Sequence, residues 1–267
     1  MPSPHPDIGA AARAVQALAI ALLIGGRVTP AAGVDPLAVA RTFCQADGRG
    51  ARLGPGAWAA IAPLAGWSLE PAWDHVRLIS GYQLGESRSH DGQIDVDVQY
   101  SVVADVDADG VRSTQRTDTR TLTLEADGDG GWRLRGPPPP PYVFESEADA
   151  ERLASLLDPA NDGYLSNSGF IWRLLRDAGW EIPHADTDAL PRATGFRAER
   201  SANVGDLALY YDRDTPYHVA MVESDDRVVS ATLNGGLRRT PFGAFAGEIR
   251  YLRPVKTSPS PGVTPTP

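Results

Sequence analysis

The chain has 267 residues, which is enough for two modest domains, and its 42% hydrophobic and 22% charged residues are typical of a globular protein. The formal net charge of −9 argues against a general nucleic-acid-binding role, because phosphate binding depends on clustered cations. The single cysteine, Cys44, excludes an intrachain disulfide and a paired-cysteine metal site. Cys44 lies in an apolar helical pattern, which indicates a small buried side chain.

The first element is an apolar run at residues 14–26, which is too short to span a bilayer comfortably. Arg13 precedes it and small residues follow it, an arrangement typical of a secretory signal. Residues 1–33 are therefore predicted to be a signal peptide or N-terminal apolar segment, with a mature start near Val34. The protein would then be exported: periplasmic, cell-wall-associated or secreted. The alternative is an amphipathic helix packed on the body, which would leave the protein cytoplasmic.

Residues 34–142 begin with helices and continue with strands. Pro36 to Asp47 is a predicted helix, because Asp35 is a favourable cap and proline is favoured at the first helical position. A second short helix is predicted at Gly56 to Ala65. The period then changes from helical to two, and turn clusters separate the strands. The predicted antiparallel meander has strands at residues 76–79, 93–102, 113–125 and 132–134.

Helices followed by a long curved antiparallel sheet resemble the nuclear transport factor 2-like fold. That resemblance implies a cone-like α+β domain over residues 34–142, used in such proteins for small-molecule pockets or as a non-catalytic accessory domain. The apolar face of the sheet would cover its own helix or hold a ligand.

A possible calcium loop begins at Asp105, but it lacks its most important ligand. Such loops close with a bidentate glutamate at the twelfth position, where this chain has Arg116. An acidic hairpin turn is the better interpretation. The histidines show no ligand spacing either, so neither a metal nor a cofactor is predicted.

Five consecutive prolines, Pro137 to Pro141, are predicted to form a stiff extended connector, because proline can neither join a sheet ladder nor continue a helix. A domain boundary is placed here, with the second domain covering residues 143–255. Residues 256–267 are a predicted disordered tail rich in proline, serine and threonine.

The second domain contains a buried helix with a polar tip, beginning near Ser166 and ending at Gly179. A turn and strand follow at Val204 to Tyr211, and further strands are predicted at 218–223, 227–232 and 247–253. The helix tip reads Ser166-Asn167-Ser168-Gly169-Phe170, the turn reads Gly205-Asp206-Leu207, and the next strand opens with His218-Val219-Ala220.

This order and spacing resemble the NlpC-type cell-wall cysteine peptidases, a family with a papain-like α+β fold. The resemblance covers about 110 residues. In the family, the helix that corresponds to the one beginning near Ser166 starts with Asp-Cys-Ser-Gly-Phe. By that register Asn167 stands at the cysteine position, His218 at the histidine position, and Ser230 where the family has a residue that orients the histidine. Tyr164, Ser166, Ser168 and Tyr217 are candidates to line the groove.

An amide cannot replace the thiolate. A cysteine at a helix N-terminus is activated by the helix dipole and a nearby histidine, whereas asparagine has no ionisable proton and cannot attack a carbonyl. The leading hypothesis is therefore an exported, non-catalytic pseudo-peptidase that binds cell-wall peptides or a partner cell-wall enzyme. One alternative is a peptidoglycan hydrolase using Ser166 or Ser168 with His218. Another is a small-molecule binder acting through the N-terminal cone.

Overall fold

A computed structural model describes residues 35–53, 57–160, 166–233 and 236–255. The predicted signal segment at residues 1–33, the candidate groove residue Tyr164 and the predicted tail at 256–267 lie outside the described residues. The described chain is α+β, as the sequence predicted. A curled half-barrel sheet comes first and an antiparallel sheet follows it, and both belong to one compact unit.

Three long strands dominate the first sheet, and they extend beyond the predicted ranges. The second half of β1 is polar, so no alternation of apolar residues predicts a strand there. Its backbone nevertheless pairs with β2 almost to the hairpin turn. The meander is antiparallel as predicted, and a fifth strand adds parallel to β1. In spatial order the strands are β4 (Trp132–Leu134), β3 (Gly110–Ala126), β2 (Gln93–Asp107), β1 (Val76–His90) and β5 (Tyr142–Phe144).

Helix α1 (Pro36–Gly48) packs one face into the first sheet. Asp35 caps it by accepting a 3.0 Å hydrogen bond from the backbone N–H of Leu37. Cys44 is buried in this interface with its Sγ 3.4 Å from the hydroxyl of Tyr100. Burial raises the pKa of Cys44 to about 12, so its thiol stays protonated and unreactive. The second predicted helix is shorter than expected, a 3₁₀ helix at Ala57–Ala60.

A fully buried ion cluster joins α1 to the segment before β1. Arg52 binds Asp47 through two hydrogen bonds of 2.9 and 3.0 Å, and its Nη1 donates to Glu70 at 2.9 Å. The indole N–H groups of Trp67 and Trp73 also donate to Glu70. Burial alone would lower the pKa of Arg52, but the two carboxylates raise it, so the guanidinium keeps its charge.

The proline run is packed against the ion cluster. The carbonyl of Pro139 accepts a 2.7 Å hydrogen bond from Arg52 Nη1, and the N–H of Tyr142 donates to Asp47. β5 follows the run and pairs with β1, and helix α2 (Ala150–Leu157) packs near β2 and β3. The predicted boundary after Tyr142 therefore falls inside β5, and residues up to Leu157 belong to the first sheet's layer.

The second sheet has six strands in the described residues, and helix α3 (Asn167–Asp177) packs on one of its faces. Two of the strands, β6 and β10, carry no clear alternation of apolar side chains, and the sequence pattern missed them. In spatial order the strands are β10 (Gly236–Pro241), β9 (Arg227–Thr232), β8 (Thr215–Val222), β7 (Leu207–Asp212), β11 (Glu248–Pro254) and β6 (Phe196–Glu199).

We predict that Arg52→Met lowers the free energy of unfolding by about 3–5 kcal/mol, because it leaves Asp47 and Glu70 buried without their cation. Arg49→Met is the matched control: Arg49 is exposed at the end of the same helix, and its change should stay within about 0.5 kcal/mol. Urea unfolding measures both.

A triple variant, Asp47→Asn, Arg52→Met and Glu70→Gln, should recover much of the loss, because it removes the unpaired charges. Equal stability of Arg52→Met and wild type would contradict the role given to the cluster.

Candidate functional site

The tip of α3 is held in place by a carboxylate from the segment before β1. Ser166 caps the helix, with its Oγ accepting from Gly169 N–H at 2.9 Å and donating to Asp74 at 3.1 Å. Asp74 also accepts from the N–H groups of Ser168 (2.8 Å) and Thr187 (2.7 Å). Burial would raise the pKa of Asp74, but these hydrogen bonds outweigh it and hold the pKa below its usual value. Asp74 therefore stays ionised and fastens the helix tip to the loop before β6.

Asn167, the first residue of α3, is 1% exposed and bonds to the strand beside it. With the amide oriented to match donors to acceptors, Nδ2 donates to the carbonyl of Val219 (3.0 Å) and Oδ1 accepts from the N–H of Val219 (2.7 Å). Oδ1 also accepts from Nδ1 of His218 at 3.0 Å. The structure thus brings together two of the three positions aligned by the family resemblance.

The amide of Asn167 takes the place of a peptide group in the second sheet. β8 and β9 pair only at Met221 with Val229 and at Val222 with Val228, so Val219 has no partner on β9. A carboxamide presents one donor face and one acceptor face, as a peptide group does. Asparagine here has a structural task that cysteine could not perform.

His218 is enclosed on the side away from α3. Its exposure is 0%, and its ring centroid lies 3.9 Å from that of Phe245. Burial lowers the pKa of His218 to about 3, and the hydrogen bond to Asn167 places its proton on Nδ1. Among the described residues, neither Nε2 of His218 nor Oγ of Ser230 has a hydrogen-bond partner. Ser230 is therefore buried but does not orient the histidine.

A segment that precedes the first sheet covers β9 next to this site. The N–H of Ala72 donates to the carbonyl of Ala231, and the N–H of Leu233 donates to the carbonyl of Glu70. Pro71 and Thr232 form an isolated antiparallel bridge. Asn167, His218 and Ser230 are all buried, so none of the three positions lies in an open cleft.

The two candidate groove serines, Ser166 and Ser168, are also buried. The hydroxyl of Ser166 donates a hydrogen bond to Asp74. Ser168 is 2% exposed, and its Oγ lies 2.9 Å from Nε2 of His184. Among the described residues neither serine bonds to His218. His184 and Asp74 were not candidates from the sequence, because nothing in their spacing relates them to the helix tip.

The surroundings of the Ser168–His184 pair are acidic. Burial lowers the pKa of His184, so its ring is neutral near pH 7. Burial, with Asp74 and Asp188 nearby, raises the pKa of Asp186 to about 7. The partly protonated Asp186 follows His184 by two residues.

The remaining candidate, Tyr217, does line a cavity. Its hydroxyl donates to the carbonyl of Ala246 at 2.7 Å, and its ring lies 6.5 Å from that of Trp73. Burial raises the pKa of Tyr217, so the phenol stays protonated. Along β8, Tyr217 reaches the cavity and the next residue, His218, lies in the interior.

Comparisons with family models, with curated proteins and with solved structures found no match for this chain. In the described ranges no cluster of three or more histidine, cysteine or carboxylate side chains could hold a metal ion. The described helices are all too short or too polar to cross a bilayer. The fold class that the structure defines is α+β with two sheets, and the family resemblance stays a prediction.

His218 predicts a pH dependence of stability. The folded protein takes up its proton only near pH 3, whereas an unfolded histidine has a pKa of about 6.5. As pH falls between these values, the unfolded state binds the proton first, so stability falls by up to about 1.4 kcal/mol per pH unit. We predict that His218→Phe, which keeps a ring beside Phe245, removes this part of the slope.

Urea unfolding at several pH values between 7 and 4 measures the effect. The same slope in His218→Phe and wild type would contradict the assignment.

Proposed function

We propose that this protein is an exported, non-catalytic relative of the NlpC-type peptidases that binds cell-wall peptides or a partner cell-wall enzyme. The observation that supports it best is Asn167. It occupies the nucleophile position of the resemblance, and its amide is bonded to both backbone groups of Val219 and to His218. A covalent mechanism needs an ionisable nucleophile, and an amide at this position provides none.

The state of His218 supports the same conclusion. A general base works best with a pKa near the operating pH, whereas burial holds the pKa of His218 near 3. Its free Nε2 is also enclosed, away from any substrate. Peptide binding therefore has to use a surface other than these three positions.

Two measurements on purified peptidoglycan test the proposal. The wild-type protein should sediment with peptidoglycan and release no peptides from it, and Asn167→Cys should also release none because the position is enclosed. Absence of wild-type sedimentation and of any captured partner enzyme would contradict the binding role. Peptide release by the wild type would contradict the non-catalytic assignment.

Asn167→Cys has a second expected result. The new thiol should resist iodoacetamide in the folded protein, as should Cys44, whereas Asn203→Cys, at an exposed site, should react readily. The variant should also lose about 1–3 kcal/mol of stability, because the backbone groups of Val219 lose their buried partner. Mass spectrometry and urea unfolding measure the two effects.

A second candidate function is serine-dependent hydrolysis, and one observation favours it. Oγ of Ser168 lies 2.9 Å from Nε2 of His184, which is within reach for proton transfer. Neutral His184 could act as the base. The burial of Ser168 argues against this candidate, because a substrate carbonyl must reach the hydroxyl.

If the wild type releases peptides, this candidate predicts that Ser168→Ala and His184→Gln each lower the rate by about 10²-fold or more. Ser201→Ala, at an exposed position, is the control and should retain the rate. A rate that survives in both Ser168→Ala and His184→Gln would eliminate the serine candidate.

A further inference from the structure

A cavity of about 380 Å³ lies between the first sheet and the β7–β8 hairpin, and neither Asn167 nor His218 lines it. Its volume falls within the roughly 300–1,000 Å³ that is usual for small-molecule sites. The rings of Trp73 and Tyr217 form one wall, at 6.5 Å and a 36° tilt, and Pro138 and Pro140 line it as well. Aromatic and proline side chains make these walls rigid and apolar.

Two arginines of the first sheet line the cavity, and both have unused hydrogen-bonding capacity. Among the described residues Arg120 has no carboxylate within 4.0 Å, and its one hydrogen bond runs from Nε to the hydroxyl of Tyr142 at 3.0 Å. Arg77 lies 3.0 Å from Asp118 through Nε, while its Nη1 is buried without a described partner. Arg120 is therefore the half-buried guanidinium that lacks an anion, which is costly, and the planar fork of both side chains matches a carboxylate.

The charge changes sign toward the mouth of the cavity. Asp188, Asp212 and Asp214 line it and are exposed, with Arg213 as the one exposed cation between them. Burial lowers the pKa of His75, so this lining residue adds no charge near pH 7.

Asp74 also lines the cavity, but its two oxygens already accept hydrogen bonds from Ser166, Ser168 and Thr187. The two arginines of the first sheet and the acids at the mouth suit a ligand that has a carboxylate at one end and an ammonium group at the other. A phosphate dianion would be repelled by the same acids.

An adjoining cavity of about 530 Å³ extends this site along β3. The two cavities share Arg120 and Asp212, and residues 119–123 of β3 line the second one. β4 pairs with β3 at Leu124–Ala126, and the N–H of Arg135 donates to the carbonyl of Thr123 at 2.7 Å, so residues 119–122 lie at an edge of the described sheet. An edge strand offers backbone groups to an extended peptide.

We propose that these two cavities form one cleft that binds a short peptide, with its free C-terminal carboxylate on Arg120 and Arg77 and its ammonium group near Asp212. This inference rests on the proposed function, because it names the site and the ligand class for peptide binding. It places binding outside the three positions of the family resemblance.

Calorimetric titration of the full chain with alanine tripeptides of L and D configuration tests the cleft. The unmodified tripeptide of at least one configuration should bind, and its C-terminal amide should bind about tenfold more weakly. Arg120→Gln should weaken the free acid by a similar factor and remove the difference between acid and amide. Arg133→Gln, at an exposed arginine outside both cavities, is the control and should bind as the wild type does.

The ammonium end is tested separately. N-acetylation of the tripeptide and Asp212→Asn should each weaken binding several-fold, and their effects should not add. Because Asp212 is exposed, its variant should fold even if Arg120→Gln does not. Absence of tripeptide binding, equal binding of acid and amide, or full competition by inorganic phosphate with no effect of N-acetylation would each overturn the inference.

The outcomes also separate this inference from the proposed function. Wild-type sedimentation with peptidoglycan that is unchanged in Arg120→Gln would overturn the cleft assignment and leave the proposed function standing. Tripeptide binding that depends on Arg120, in a protein that binds no peptidoglycan, would support the cleft and contradict the cell-wall role.

Discussion

The rest of the structure depends on one buried cation, Arg52, held between Asp47 and Glu70. Removing charges from water is costly unless each has a partner, so these side chains have to meet at one point. The end of α1, the segment before β1 and the carbonyl of Pro139 are thereby brought together. The carbonyl of Glu70 then accepts from Leu233 in the second sheet's layer, and Asp74, four residues on, anchors the tip of α3.

The segment before β1, which contains Glu70 and Asp74, also limits the chemistry that is possible at the tip of α3. It covers the end of β9, and Asn167 fills the gap where β8 and β9 separate. A reactive thiol at a helix tip needs an approach for substrate and a histidine that titrates near neutral pH. Here burial removes both conditions, and the position contributes hydrogen bonds to the sheet instead.

The charged cavity and the enclosed site are separated by one residue along β8. Tyr217 reaches the charged cavity, whereas His218 is enclosed beside Phe245. Neighbouring side chains on an extended segment point to opposite sides, so one stretch of backbone can serve two environments.

The sequence by itself determined the local elements, because their signals lie within a few residues. Asp35 and Pro36 start α1, alternation of apolar residues marks β2, and Ser166 caps α3, all within one or two residues of the predicted starts. Only the tertiary structure decided the polar half of β1, the placement of β5 and the partners of Ser168 and Asn167. Those features depend on contacts between distant segments, such as the bond from Ser166 to Asp74 across 92 residues, and no local periodicity encodes which buried charge meets which helix tip.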